Sequence, residues 1–114
     1  MQDYPELEII VVDNASADET ARIVAETFPH VRVLRQEHNT GAAGGRNIGI
    51  FAATGDVCIS IDDDAVFLDA ESISRCMTYF ARDEKLGCLA LRIVDQYGNI
   101  VKKLIPRRDR NIIT

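Results

Sequence analysis

Leu7-Glu8-Ile9-Ile10-Val11-Val12-Asp13-Asn14-Ala15-Ser16 is the stretch that decides the fold. Residues 7–12 form an apolar run rich in β-branched side chains, the pattern of a strand buried on both faces. It stops abruptly at Asp13-Asn14, a turn pair. Ser16 and Glu19 have the spacing of a capping box and predict a helix running to about Phe28, with Ala21, Val24, Ala25 and Phe28 on one face. Pro29 ends it, and residues 31–34 read as a second short strand.

The same alternation continues. A polar loop over residues 36–41 precedes a helix expected from near Gly44 to Ala53, with Ile48, Phe51 and Ala52 facing inward and Gly55 as its stop. Residues 57–61 predict a third buried strand, ending in Asp62-Asp63-Asp64. Asp69 is placed to cap a third helix over residues 70–82, with Ile73, Cys76, Met77 and Phe80 as its stripe. Residues 86–94 and 100–105 read as two strands joined by the hairpin loop Asp95-Gln96-Tyr97-Gly98-Asn99. Strands alternating with helices of this length imply an α/β fold with a mainly parallel sheet.

Composition narrows the function. The 114 residues are 46% hydrophobic, enough for a packed core. Thirteen basic against 18 acidic side chains give a net charge of −5, which argues against nucleic acid as a partner. No apolar run suits a transmembrane segment, and acidic Asp3, Glu6 and Glu8 argue against a signal peptide. Cys58, Cys76 and Cys88 lack metal-ligand spacing and are expected as reduced core thiols, pointing to the cytoplasm.

Ligands of open α/β sheets collect beyond the carboxyl ends of strands. Asp13 follows the first strand and Asp62-Asp63-Asp64 the third, so both are expected on one rim. Three adjacent carboxylates repel one another unless solvent or a cation relieves them, and Mg²⁺ or Mn²⁺ favours such oxygen ligands. Asn39-Thr40-Gly41-Ala42-Ala43-Gly44-Gly45-Arg46 adds glycines before a helix N-terminus, an arrangement that lets backbone approach an anion, with the Arg46 fork beside it. Neither a dinucleotide fingerprint nor a phosphate-loop Lys-Ser/Thr ending is present.

Taken in order, residues 7–16 with Asp18-Glu19-Thr20, then Asn39-x-Gly41 through Arg46-Asn47-x-Gly49-Ile50 and Ala53-x-Gly55-Asp56, then Ile61-Asp62-Asp63-Asp64-Ala65, resemble family 2 glycosyltransferases of the GT-A fold, a Rossmann-like three-layer sandwich. The similarity is greatest to rhamnosyltransferase-like bacterial members that build cell-envelope polysaccharide. It implies inverting transfer of a sugar from a nucleoside diphosphate, UDP- or dTDP-sugars being favoured, to a hydroxyl on a sugar or lipid-linked acceptor. Asp13 would hydrogen-bond the nucleobase, with Asn14, Ser16 and Gly41 around it and Arg46 near the nucleotide. Asp63 or Asp62 would contact the ribose. Asp64, with Asp62, would ligate the Mg²⁺ or Mn²⁺ of a DXD motif. Asn39 and Asn47 would shape the loop.

Against that family the chain is expected to be truncated at both ends. Residues 1–105 would be the nucleotide-sugar-binding part of one GT-A domain, and the basic tail 106–114 would lead to an acceptor-binding part carrying the catalytic base beyond Thr114. Asp109 does not fit the family's acidic motif. The family's first strand would lie between residues 7–12 and 57–61; without it, marginal stability or self-association through unpaired edges is expected. The parent would be cytoplasmic, peripheral to the inner membrane. Two alternatives stand beside this reading: a non-catalytic nucleotide-sugar-binding or structural fragment, and a phosphatase using Asp62 as nucleophile and Asp64 as acid/base.

Overall fold

The computed structural model describes residues 2–101. They form two compact units, divided between Ala70 and Glu71.

The first unit contains β1 (Ile10–Asp13), α1 (Thr20–Thr27), β2 (Arg32–Arg35) and α2 (Gly41–Ala52). β1 and β2 pair in parallel, in the register Ile10↔Arg32, Val11↔Val33, Val12↔Leu34 and Asp13↔Arg35. α1 is the crossover between them and packs on β2, while α2 packs on β1. The glycines of α2 make that second contact close. A Cβ on Gly49 would sit 3.3 Å from Val12 Cγ2, and one on Gly45 would sit 3.5 Å from Asn14 Nδ2. Within the helix these positions therefore serve packing against β1 and its turn. Gly41 differs: its φ of +74° is a conformation that favours glycine, and it lets the chain turn into the helix.

Several expectations are corrected. The Ser16–Glu19 capping box does not form. Ala15 adopts a left-handed φ of 67°, and the Ser16 N–H turns back to the Asp13 carboxylate. α1 then starts later, where Asp18 Oδ1 accepts from the Thr20 N–H at 3.0 Å and from its hydroxyl at 2.5 Å. α2 starts at Gly41, a turn earlier than expected. Phe51 faces outward, 87% exposed, whereas Ile48 and Ala52 are half-buried. The β1 apolar residues are half-buried rather than enclosed, because only one strand and one helix flank them among the described residues.

Residues 57–61 do not form a strand, since no ladder partner lies beside them among the described residues. Cys58 in that segment is consequently exposed, as is Cys88, and only Cys76 is a core thiol. No described helix is long and apolar enough to cross a membrane.

The second unit holds α3 (Ser72–Arg82), which buries Ile73 and Cys76 and half-buries Met77 and Phe80, the expected stripe. The expected 86–94 strand reduces to a single antiparallel bridge, Val94↔Ile100. The turn between them forms as expected: Asp95 Oδ1 accepts from the Tyr97 and Asn99 amides at 2.9 Å each, and Gly98 takes a φ of +81°. Most of the expected 100–105 strand, the basic tail and Asp109 lie outside the described residues.

Candidate functional site

The parallel ladder ends with Asp13 opposite Arg35, so the carboxyl end of the sheet carries an acid and a base side by side. Asp13 is a buried charged residue whose side chain has 0% exposure. One oxygen is satisfied: Oδ1 accepts the Ser16 N–H at 2.9 Å. The other, Oδ2, is buried and has no hydrogen-bond partner among the described residues. Arg35 Nε stands 3.6 Å from it, close enough for charge attraction but too far for a good hydrogen bond. Hydrogen bonding from Ser16 holds the Asp13 carboxyl below its ordinary value of 3.8. The Arg35 charge adds to that and Asp18 opposes it. Asp13 is therefore ionised at neutral pH, with one oxygen that lacks a hydrogen-bond donor among the described residues. A buried acceptor in that state is costly unless something donates to it.

Beside this carboxylate the surface sinks into an open depression of about 320 Å³ lined by Ala15, Ser16, Arg35, Gln36 and Glu37. The left-handed turn at Ala15 and the ends of both strands shape it.

Asn14 organises the neighbouring loop. Its Nδ2 donates to Asn39 Oδ1 and to the Gly41 carbonyl, each at 3.1 Å, and its Oδ1 accepts from the Thr40 N–H at 2.9 Å and from the Thr40 hydroxyl at 3.0 Å. Asn39 Oδ1 also accepts the Gly41 N–H at 2.8 Å. The amide of Asn14 is thus spent on holding the start of α2 against the end of β1, which makes it a positioning group. Asn39 shapes the loop, as expected.

From α2, Arg46 Nη2 reaches Asp62 Oδ1 at 2.5 Å. The pair is half-exposed, at 45% and 61%. It brings two of the sequence-selected residues together, but by joining them to each other. Asp62 opens a turn in which the Ala65 N–H bonds its carbonyl at 3.1 Å, and Asp63 and Asp64 lie exposed in that turn. The donor set suits a hard cation: Asp63 and Asp64 offer carboxylates without a partner among the described residues, while Asp62 is held by Arg46. No group of three or more metal-ligating side chains converges among the described residues, so a cation here would complete its shell with ligand phosphates and water.

Arg35, Gln36 and Glu37, which line the depression beside Asp13, are not marked by the sequence. Charged and amide side chains after a short strand carry no motif, and only the register sets Arg35 opposite Asp13.

A family profile described as Glycosyl transferase family 2 matches residues 1–112. Among curated relatives, a chondroitin synthase of Escherichia coli is 30% identical over 105 residues, covering 88% of this chain and 15% of that protein. An uncharacterized glycosyltransferase of Escherichia coli K12, YibD, is 44% identical over 70 residues, covering 58% of this chain and 20% of that protein. A poly-beta-1,6-N-acetyl-D-glucosamine synthase of Staphylococcus epidermidis is 32% identical over 89 residues, covering 76% and 21%. The chain thus spans about a fifth or less of the length of these relatives. No solved structure gave a significant match.

Proposed function

This chain belongs to glycosyl transferase family 2 and has the GT-A fold of that family, and from that premise we propose that it binds the nucleotide of a nucleoside-diphosphate sugar at the carboxyl end of β1 and β2. The observation that carries the reading is the buried, ionised Asp13 with one oxygen unsatisfied beside an open depression. A nucleobase N–H is a donor of the right kind for it. The α2 start, fixed by Asn14, and the Arg46–Asp62 pair then flank the ribose and diphosphate. Asp63 contacts the ribose. Asp64 holds the Mg²⁺ or Mn²⁺, which supplies positive charge against the departing diphosphate.

In the whole protein the reaction is inverting transfer to an acceptor hydroxyl, and residues 1–105 are its nucleotide-sugar-binding part. UDP- and dTDP-sugars are the favoured donors. A sugar or lipid-linked acceptor is the partner, as suits a polysaccharide-building enzyme working beside a membrane. We assign no catalytic base within the described residues. A binding unit without turnover of its own is the second reading, because the chain matches so small a part of its relatives; sugar transfer by the isolated chain would reject it. The phosphatase reading is set aside, since family membership leaves it no support and the Asp62 carboxylate it needs as a nucleophile is engaged by Arg46.

Calorimetry with UDP tests the reading. Binding is expected with Mg²⁺ or Mn²⁺ and is lost in a chelator or in Asp64→Ala. Equal binding with and without the cation would refute the metal bridge.

A further inference from the structure

We propose that Arg35 is a second nucleobase-reading group: a displaceable counter-charge over Asp13 in the free chain that becomes a hydrogen-bond donor to the base when the base occupies Asp13. The proposal rests on the nucleotide reading above and extends it to a residue outside the motifs that suggested that reading.

The geometry carries it. Asp13 and Arg35 are register partners at the ends of adjacent parallel strands, so the backbone ladder fixes their spacing. Arg35 is nonetheless poorly bonded where it lies. Its Nε is 3.6 Å from Asp13 Oδ2, and its Nη2 is 3.5 Å from the Ser16 carbonyl, at the outer limit of a hydrogen bond. The Arg35 side chain is 60% exposed, so it can swing without disturbing the core. Asp13 cannot, because its side chain is fully buried and anchored through Oδ1 to Ser16.

A fixed acceptor beside a movable donor matches any base edge that offers an N–H next to a carbonyl or ring nitrogen. The base N–H takes Oδ2, which no group among the described residues satisfies. The planar guanidinium, released from the carboxylate, donates to the neighbouring acceptor. Arg35 also lines the depression that would receive the base. The other charged groups around Asp13 leave Arg35 as its only close cation among the described residues. Asp18 of the β1–α1 loop is acidic, and the α2 cation, Arg46, is engaged with Asp62.

The test is titration of UDP with Mg²⁺ into the full chain and its Arg35→Gln, Arg35→Lys and Asp13→Asn variants between pH 3 and 8, with Mg²⁺–pyrophosphate as a base-free control. Arg35→Gln is expected to weaken UDP roughly tenfold, to leave pyrophosphate unchanged, and to move the acid limb of UDP binding to higher pH, because Asp13 loses a cation that adds to the Ser16 hydrogen bonding in favouring its ionised form. Arg35→Lys, which keeps the charge and loses the fork, should leave the acid limb in place and lose part of the affinity. Arg35→Gln binding UDP as tightly as the parent or more tightly, or losing UDP and pyrophosphate equally, overturns the proposal. Asp13→Asn separates the two claims. If it abolishes UDP binding while Arg35→Gln does nothing, the nucleotide reading survives and Arg35 is a bystander. If Asp13→Asn binds normally, the nucleotide reading and the proposal both fall.

Discussion

The two ends of the β1–β2 sheet each carry one carboxylate and one arginine, and they are finished differently. At the amino end, Glu8 Oε2 accepts from the Thr54 N–H at 2.8 Å and from the Thr54 hydroxyl at 3.1 Å, and Arg32 Nη1 donates to the Ala52 carbonyl at 2.8 Å while lying 3.8 Å from Glu8 Oε1. These contacts tie the end of α2 to the start of both strands. At the carboxyl end, among the described residues, Asp13 keeps an unsatisfied oxygen and Arg35 makes only long contacts. A carboxylate and an arginine thus close one end of the sheet and leave the other open. A pair spent on the chain itself is a fastening, whereas a buried acceptor left without a donor is a place for a ligand.

The comparison breaks most directly by neutralising each acid in turn. Asp13→Asn should weaken UDP with Mg²⁺ by more than about tenfold, the scale of a lost charge-assisted hydrogen bond, and lower Tm less than Glu8→Gln does. Glu8→Gln should lower Tm and leave Kd within about twofold. Calorimetry and thermal melts on both variants check this, and exchanged phenotypes would reverse the assignment of the two ends.

A second break targets the helix that links the ends. A Cβ on Gly44 would lie 2.6 Å from Thr40 Oγ1 and 2.7 Å from Thr40 Cβ, at the loop that Asn14 holds. Gly44→Ala should therefore cost about 1–3 kcal/mol despite the better helix propensity of alanine. Adding Thr40→Gly should restore part of it in urea denaturation. Stabilisation by Gly44→Ala alone would show that the loop yields freely.

Acid sharpens the contrast further. Thr54, first through its backbone N–H, holds Glu8 below its ordinary 4.5, and Ser16 holds Asp13 below 3.8. For carboxyls depressed in the folded state the stabilisation is complete above the ordinary values and disappears as pH falls through the lowered ones. Tm should thus hold down to about pH 4.5 and fall below it. Glu8→Gln should flatten that fall, while Asp13→Asn should remove the acid limb of nucleotide binding.

The smallest effect is expected at Arg46. Its pair with Asp62 is half-exposed, so Arg46→Ala should cost about 0.2–1 kcal/mol of stability. It should still weaken UDP with Mg²⁺ by roughly three- to tenfold, through loss of a cation beside the diphosphate. Unchanged binding would make Arg46 a surface tether for the acidic turn only.

Much of this arrangement can be read along the chain. The apolar run into Asp13, the alternation of strand and helix, the α3 stripe and the Asp95–Asn99 turn are local patterns, and local patterns survive in the fold. What escaped depends on pairing and orientation. The Ser16–Glu19 spacing is a valid helix start, but the Asp13 carboxylate captured the Ser16 amide first. Residues 57–61 have strand composition, yet a strand needs a neighbour and none is described beside them. Among the described residues β1 is paired on one edge only; sedimentation at rising concentration tests the self-association expected from the sequence. Arg35 became visible only through the register, because nothing in its neighbours marks it.

The central claim is that the carboxyl end of the sheet, and not the amino end, receives the nucleotide. Amide resonances of the ¹⁵N-labelled chain, followed as UDP and Mg²⁺ are added, test it directly. The largest shifts are predicted at Asp13, Ser16, Arg35, Gln36 and Glu37, with Glu8, Arg32 and Thr54 nearly still. Shifts centred on Glu8, Arg32 and Thr54, or none at Asp13 under saturating nucleotide, would contradict it.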